Sequence, residues 1–107
     1  MPQANKSRRE VLEQFAEKNP ADAFARYGLA LECAKLGDHP AAEEHFRRLL
    51  ESHPGYVATY QQFGQFLAGL GRIDEARKLL SDGILVAQKA GDTHARHEMQ
   101  STLNLLR

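Results

Sequence analysis

The chain repeats itself at an interval of 34 residues, and this period constrains its fold more than any other feature of the sequence. Shifting the sequence by 34 residues superposes small, apolar and helix-breaking residues on identical ones: Pro20 on Pro54, Ala34 on Ala68, Leu36 on Leu70, Gly37 on Gly71 and Ala42 on Ala76. Conservative matches at the same spacing are Leu29 with Phe63, Ala30 with Gly64, Phe46 with Leu80, and Leu50 with Ile84. A period of about 20–50 residues is typical of stacked supersecondary units, so we expect a repeat protein.

The repeating unit is predicted to be helical. Helix-favouring residues dominate, and no apolar/polar alternation lasts five residues, so no strands are expected. Gly and Pro break the chain into segments that predict six helices, at 7–18, 21–36, 40–52, 56–70, 74–89 and 93–105. Asn19 is expected to cap the second helix, with Pro20 in its first turn. The connections are short, which predicts an all-α chain of antiparallel helical hairpins stacked on one another.

These residues resemble the tetratricopeptide repeat family, whose unit is a helix–turn–helix of about 34 residues. The best-matched stretch is Tyr60…Phe63-Gly64…Leu67…Gly71…Ala76…Leu80. The resemblance implies a short right-handed solenoid in which residues 1–107 form a single domain. Its parts are an N-terminal half-repeat helix at 7–18, a first repeat at 19–54, a second repeat at 55–90 and a C-terminal capping helix at 91–107.

Three residues depart from the family pattern. Arg26 stands where the family prefers a large aromatic residue, and Cys33 stands where it usually has tyrosine. Gln88 replaces the proline that closes a repeat, so the fifth helix is expected to run longer toward Gly91.

Composition argues against several classes of function. Fourteen Lys and Arg balance fourteen Asp and Glu, so no net field attracts nucleic acid, and no apolar run approaches the about 20 residues that a bilayer requires. We therefore expect neither nucleic acid nor a membrane as partner. The segment Met1–Glu10 lacks the apolar core of a secretion signal, and the lone cysteine, Cys33, fits a reducing compartment. A cytoplasmic location is expected.

Few residues suggest catalysis or metal binding. His94 and His97 lie three residues apart with Glu98 beside them, a spacing that could present two imidazoles to a metal, but a solvated polar face explains them more simply. Cys33 could serve as a nucleophile but falls on the packed face of its helix, where burial is expected. No phosphate-binding loop, nucleophile elbow or pair of catalytic carboxylates is present. We predict a non-enzymatic protein without metal or cofactor.

Two basic clusters are explained by neighbouring acids. Lys6, Arg8 and Arg9 precede or flank Glu10, and Arg47-Arg48 lies within about a turn of Glu43, Glu44 and Glu51. Intrahelical ion pairs account for both clusters without an external phosphate.

The remaining candidate site is a surface. In a stack of hairpins the first helix of each pair lines a concave groove, and in the tetratricopeptide family this face carries the partner contacts. The corresponding residues here are Phe24, Tyr27, Leu31, Lys35, Gln61, Gln65 and Ala68. The sequence leaves two pairs of alternatives. Phe24 and Tyr27 are either exposed or packed on the N-terminal helix, and the groove is either open or filled by the terminal helix. Some family members clamp a partner's C-terminal carboxylate with inward Lys, Arg and Asn residues. Lys35 is the one inward cation expected here, so the groove does not resemble theirs.

The sequence thus predicts a protein–protein interaction module, a scaffold or adaptor that binds a peptide or helix of a partner protein in the groove. The alternative is a self-assembling structural protein whose terminal helices pair between copies through Leu103 or Leu106. A monomer or a weak homodimer fits these two hypotheses, and the sequence does not identify the partner.

Overall fold

The chain folds into helices joined by short turns. The structure, a computed structural model, describes residues 6–106, and this range contains six helices and no strand. The helices are α1 (Arg8–Lys18), α2 (Ala23–Lys35), α3 (His39–Ser52), α4 (Val57–Gly69), α5 (Ile73–Ala90) and α6 (Thr93–Leu105). The all-α prediction is confirmed, and each helix end lies within two residues of its predicted position. Residues 1–5 and 107 of the predicted domain, with the first half of the Met1–Glu10 segment, lie outside the described residues.

The start of α2 differs from the prediction. Asp22, not Asn19, caps this helix, because its carboxylate accepts hydrogen bonds from the backbone N–H groups of Phe24 and Ala25. Asn19 instead closes α1, where its side-chain amide donates to the carbonyl of Phe15 at 2.9 Å. Pro20 therefore lies in the turn between the helices. Both aspartate and asparagine are favourable N-cap residues. The carboxylate of Asp22 caps α2 because negative charge is favoured at a helix N-terminus.

Three glycines end helices as predicted. Gly37, Gly71 and Gly91 have φ angles of 81°, 80° and 73°. These values lie in the left-handed region, which glycine adopts without a steric penalty because it has no Cβ atom. Gly91 closes α5, which extends over 18 residues against 14 in α3, so the expected lengthening of the fifth helix is confirmed.

The helices group into two compact units, one ending at Ser52 and the other beginning at His53. In the first unit, α2 packs against both α1 and α3. In the second unit, α5 packs against α4 and α6, and α4 also contacts α6. Each unit therefore contains one full hairpin, α2–α3 or α4–α5, with one additional helix beside it.

Four of the residue pairs that recur at 34 residues lie in the interiors of the two units. Leu29 and Phe63 are buried, as are the pairs Phe46 with Leu80, Ala30 with Gly64, and Ala42 with Ala76. Gly64 lies so close to α5 that a Cβ atom there would be 2.8 Å from the Leu80 side chain. This supports the expectation that small residues let the helices of a hairpin approach closely.

At Gly83, side chains of two other helices come close to the backbone of α5. The sequence did not indicate this contact. A Cβ atom at this position would lie 2.5 Å from the Met99 sulfur and 2.5 Å from the Tyr60 Cβ. Gly83 thus occupies the point where α5 meets α4 and α6 together. The Tyr60 hydroxyl extends past this point and donates a hydrogen bond to the Pro54 carbonyl at 2.5 Å.

Between residues 6 and 106, no helix is both long enough and apolar enough to cross a bilayer.

Candidate partner-binding site

The predicted α2 residues line one cleft in the first unit. Phe24, Tyr27, Leu31 and Lys35 recur at intervals of three and four residues, so they lie on one face of α2. This face borders a cleft of about 380 Å³, here called the α2 cleft. Its lining consists of Arg8 from α1 with Phe24, Tyr27, Gly28, Leu31, Glu32 and Lys35 from α2. The structure therefore brings together every site residue predicted on this helix.

The aromatic residues of the α2 cleft are accessible. Phe24 is 67% exposed, so α1 does not cover it, while Tyr27 is half-buried. The two ring centroids lie 6.3 Å apart with the planes tilted by 36°, a separation within the range of favourable aromatic pairs. For Phe24, the alternative that it packs on the N-terminal helix is wrong.

Arg8 of α1 lines the α2 cleft. The sequence suggested that Arg8 pairs with an acidic residue of its own helix, but its partner lies on α2. Its Nε lies 3.3 Å from Oε1 of Glu32, whose side chain is only 10% exposed whereas that of Arg8 is 73% exposed. The pair joins α1 to α2 and neutralises the one carboxylate that lines the cleft. Sequence reasoning missed it because residues 24 positions apart are brought together only by the antiparallel packing of the two helices.

The predicted glutamines lie in a different cleft, within the second unit. Gln61 and Gln65 of α4 face α6 across a cleft of about 370 Å³, here called the α4 cleft. Its other lining residues, all from α6, are His94, His97, Glu98, Ser101 and Thr102. The Gln61 amide donates a hydrogen bond to Glu98 across this cleft. Ala68 is half-buried on α4 and is outside the lining.

The two α6 histidines do not form a metal centre with their neighbours. The Nε2 of His94 lies 3.8 Å from a Glu98 carboxylate oxygen, and His97 lies beside Arg96 at 3.4 Å. Within the described part of the chain, no three His, Cys, Asp or Glu side chains converge on a point that could hold a metal.

Cys33 is buried within its unit, as predicted. Its side chain is fully covered, and burial raises the pKa of the thiol. A raised pKa disfavours the thiolate, which is the nucleophilic form. This environment is that of a core residue rather than a reactive cysteine.

The α3 cluster pairs as expected. The N-terminal cluster does so in part, because Arg8 contacts Glu32 of α2 and Lys6 donates a hydrogen bond to the Gln14 side chain. Arg47 contacts Glu43 at 2.7 Å and Arg48 contacts Glu44 at 3.0 Å, each within α3. In the N-terminal cluster, Arg9 contacts Glu13 on its own helix at 3.1 Å and also Asp38 at 2.8 Å.

Glu10 has a different role from the one expected. Its side chain accepts a hydrogen bond from the Ser7 backbone while its own N–H donates to the Ser7 hydroxyl. This reciprocal pair is a capping box that begins α1.

Arg26, which replaces a large aromatic residue of the family pattern, contacts a histidine. Its Nη1 lies 3.0 Å from Nδ1 of His45, so the contact links α2 to α3. Burial and the neighbouring guanidinium together lower the pKa of His45. The geometry suits a neutral imidazole that accepts a hydrogen bond from the arginine.

Similar folds occur in bacterial proteins. A solution structure of a protein from Bordetella parapertussis is 27% identical, with a TM-score of 0.81, over 95% of this chain and 89% of that one. A solution structure of a tetratricopeptide repeat domain protein from Salinibacter ruber is 34% identical over 82% of this chain and 89% of that one, with a TM-score of 0.79. A crystal structure of the tetratricopeptide repeat domain protein from the same organism is 35% identical over 77% and 92%, with a TM-score of 0.72. No curated protein matches the chain.

The family itself is shown by the sequence match. The family model described as a tetratricopeptide repeat matches residues 34–97, which is more than half of the chain. The matched range extends from the end of α2 into α6 and includes the whole of the α4–α5 hairpin. Together with the similar structures from Salinibacter ruber, this match shows that the chain belongs to the tetratricopeptide repeat family.

Proposed function

We propose that this chain is a non-enzymatic protein-interaction module that binds a peptide or helix of a partner protein on the exposed faces of α2 and α4. Tetratricopeptide repeats are generally protein-interaction modules, and their fold is typically non-enzymatic. The proposed contacts are Phe24, Tyr27, Leu31 and Lys35 on α2, with Gln61, Gln65 and Ala68 on α4. A cytoplasmic location, which the lone buried thiol favours, belongs to the same proposal.

One observation carries this proposal. The α2 cleft presents the exposed Phe24 beside Tyr27 and Leu31, with the charged Arg8 and Lys35 at its border. Large exposed apolar side chains with a polar rim are typical of protein–protein contact surfaces.

A capture experiment tests the proposal. The wild-type chain, a Tyr27→Ala/Leu31→Ala variant and a Leu85→Ala control are immobilised in equal amounts, and the proteins retained from the source cell's lysate are quantified. Leu85 is an exposed apolar residue of α5, so its truncation removes similar surface away from the α2 cleft. We expect the Tyr27→Ala/Leu31→Ala variant to lose the partner while the control retains it. Equal retention by all three, with unchanged helicity, would contradict the proposal.

Self-assembly is the second candidate function, because the terminal helices leave apolar side chains exposed. Leu105 of α6 is 82% exposed, and Val11 of α1 is 51% exposed. Leu103 and Leu106 are half-buried, and the Leu106 carbonyl accepts a hydrogen bond from Arg77. Sedimentation equilibrium distinguishes the two functions. A dimer that is lost in a Leu105→Ser variant supports assembly, whereas a monomer at all concentrations rejects it.

A further inference from the structure

We infer that the α2 cleft selects an amphipathic helix whose apolar side chains are followed by Asp or Glu residues at one end. This inference rests on the proposed function and specifies the chemistry of the partner. It concerns only the first unit, where the whole lining of the cleft belongs to α1 and α2.

The apolar part of the cleft has the dimensions of a helix stripe. Phe24, Tyr27 and Leu31 span eight residues of α2, and the seven steps from Phe24 to Leu31 rise about 10 Å at 1.5 Å per residue. A partner helix lying along α2 places its own residues i, i+3 or i+4, and i+7 over the same length. Gly28 contributes only backbone to the lining beside this stripe.

The end of the cleft at the start of α2 is apolar. Arg8 pairs with Glu32, and a Cβ atom at Gly28 would lie 3.5 Å from the Leu12 side chain, so α1 and α2 run antiparallel in this register. The charged Arg8 therefore lies at the far end of α2 from Phe24. Phe24 is 67% exposed and lies beside Tyr27, so aromatic surface dominates the end at the start of α2.

The opposite end of the cleft is cationic. Lys35 is exposed in the last turn of α2, and Arg8 lies less than one turn away in the antiparallel register, opposite Glu32. Glu32 is the one acidic residue in the lining, and it is largely buried against Arg8. Because Glu32 balances the charge of Arg8, this end carries the net positive charge of Lys35, so acidic groups on a partner are attracted here and basic groups are repelled.

These observations specify the partner by its charge as well as its shape. The apolar side chains of the partner helix pack at the Phe24 end of the cleft, and its carboxylates lie at the other end, beside Lys35 and the exposed side of the Arg8 pair. A neutral amphipathic helix offers Lys35 no acidic counterpart, and a basic helix brings like charges together. Because Lys35 is exposed, salt screens the attraction, so binding of the acidic helix weakens at high ionic strength.

A peptide-display selection tests the inference. A library of amphipathic helical peptides, with apolar residues fixed at helical spacing and acidic, neutral or basic residues varied at both ends, is selected against the wild-type chain. Peptides that are retained by a Leu31→Ala variant are discarded. We expect the remaining peptides to carry Asp or Glu at one end, with affinity that falls as salt rises.

Two charge variants test the electrostatic part directly. A Lys35→Glu substitution reverses the charge of the cationic end, and we expect it to weaken the selected acidic peptides by about fivefold or more at low salt. A Lys89→Glu substitution is the matched control, because it makes the same change in the last turn of α5, in the other unit. The control is expected to leave the affinity unchanged.

The outcomes distinguish a failure of this inference from a failure of the proposed function. Cleft-dependent peptides with no charge preference, or with basic ends, would overturn this inference and leave the proposed function standing. A selection in which every binding peptide is retained by Leu31→Ala and depends instead on Gln61 and Gln65 would do the same. A second copy in the cleft would show as self-association abolished by Leu31→Ala, and a lipid surface as co-sedimentation with anionic phosphatidylserine vesicles, and either would also overturn it. If no peptide binds and no lysate protein is captured, the proposed function fails as well.

Discussion

The side-chain amide of Gln61 donates a hydrogen bond to the Glu98 carboxylate at 2.9 Å, so one predicted partner contact on α4 is bonded to α6. This relationship gives the two clefts different chemistry. The α4 cleft is lined by amides, imidazoles and hydroxyls, and its principal carboxylate already has a partner. The α2 cleft is mainly apolar with cations at one end. We expect the α2 cleft to contribute more binding energy, since buried apolar anchors usually dominate interfaces.

The bond between Gln61 and Glu98 is expected to hold α6 against α4. A Glu98→Ala substitution should lower the free energy of unfolding by about 0.5–1 kcal/mol, because the bond is exposed and its net contribution is modest. Urea denaturation measures this change, and hydrogen exchange should show faster exchange in α6. A Glu51→Ala variant, at an exposed position of α3, corrects for the helix propensity of alanine. Equal urea midpoints for both variants would contradict the predicted role of the bond.

Gly83 is expected to tolerate no side chain. A Gly83→Ala substitution should lower the free energy of unfolding by about 1–3 kcal/mol, because its methyl group would overlap the Met99 sulfur and the Tyr60 Cβ. Gly69 provides the control, since a Cβ atom there meets no atom within 4 Å. Gly69→Ala should be neutral or stabilising by up to about 1 kcal/mol. Thermal unfolding of both variants checks the prediction, which is wrong if Gly83→Ala is the more stable.

Thr59 carries a hydroxyl that contributes no hydrogen bond. Its side chain is fully buried at the start of α4, and its Oγ1 has no partner among residues 6–106. A Thr59→Val substitution keeps the shape and removes this unpaired polar group, so we expect stability to be unchanged or to rise by up to about 1–2 kcal/mol. Urea denaturation provides the measurement. A clear loss of stability would show that the hydroxyl makes a hydrogen bond in solution.

His45 is expected to make stability depend on pH. Its pKa in the folded chain is lowered from 6.5 by burial and by Arg26, so the unfolded chain binds more protons just below that pH. The free energy of unfolding should therefore be greatest above about pH 6.5 and fall as the pH decreases through the window below it. Glu44 opposes this effect on the His45 pKa, but more weakly than Arg26 promotes it.

A His45→Gln variant tests the origin of this pH dependence. Between about pH 5.5 and 7.5 it should show a flatter stability profile than the wild-type chain. His97→Gln serves as the control, because His97 is exposed on α6. If the two variants keep the same profile as the wild type, another group causes the pH dependence.

The 34-residue period was sufficient to predict the helical hairpins. Positions such as Leu29 and Phe63 recur because each packs in the same place of its own hairpin, so their burial follows from the repeat. The helix ends were predictable for a local reason. Gly37 and Gly71 recur at the 34-residue interval, and each adopts the left-handed conformation that ends its helix. Asn19 was assigned to the wrong helix because Asp22, three residues later, competes for the same cap.

Contacts between helices were less predictable, since they depend on register. The 34-residue shift matches Gly83 with Leu49, which suggests a large residue, but the approach of Tyr60 and Met99 leaves room only for glycine. Similarly, nothing in the local sequence links Arg8 to Glu32. The stripe on α2 and its cation Lys35 were predictable from spacing, whereas the position of Arg8 in the cleft depends on this long-range pair.

Mapping where a partner contacts the chain is the sharpest test of binding at the α2 cleft. The 15N-labelled chain is titrated with a peptide from the display selection, and backbone amide shifts are followed by NMR. We expect the largest shifts to cluster along α2 between Phe24 and Lys35 and at Arg8 of α1, and Leu31→Ala to abolish them. Shifts confined to α3 or α5, or shifts that persist in the Leu31→Ala variant, would show that the partner binds elsewhere.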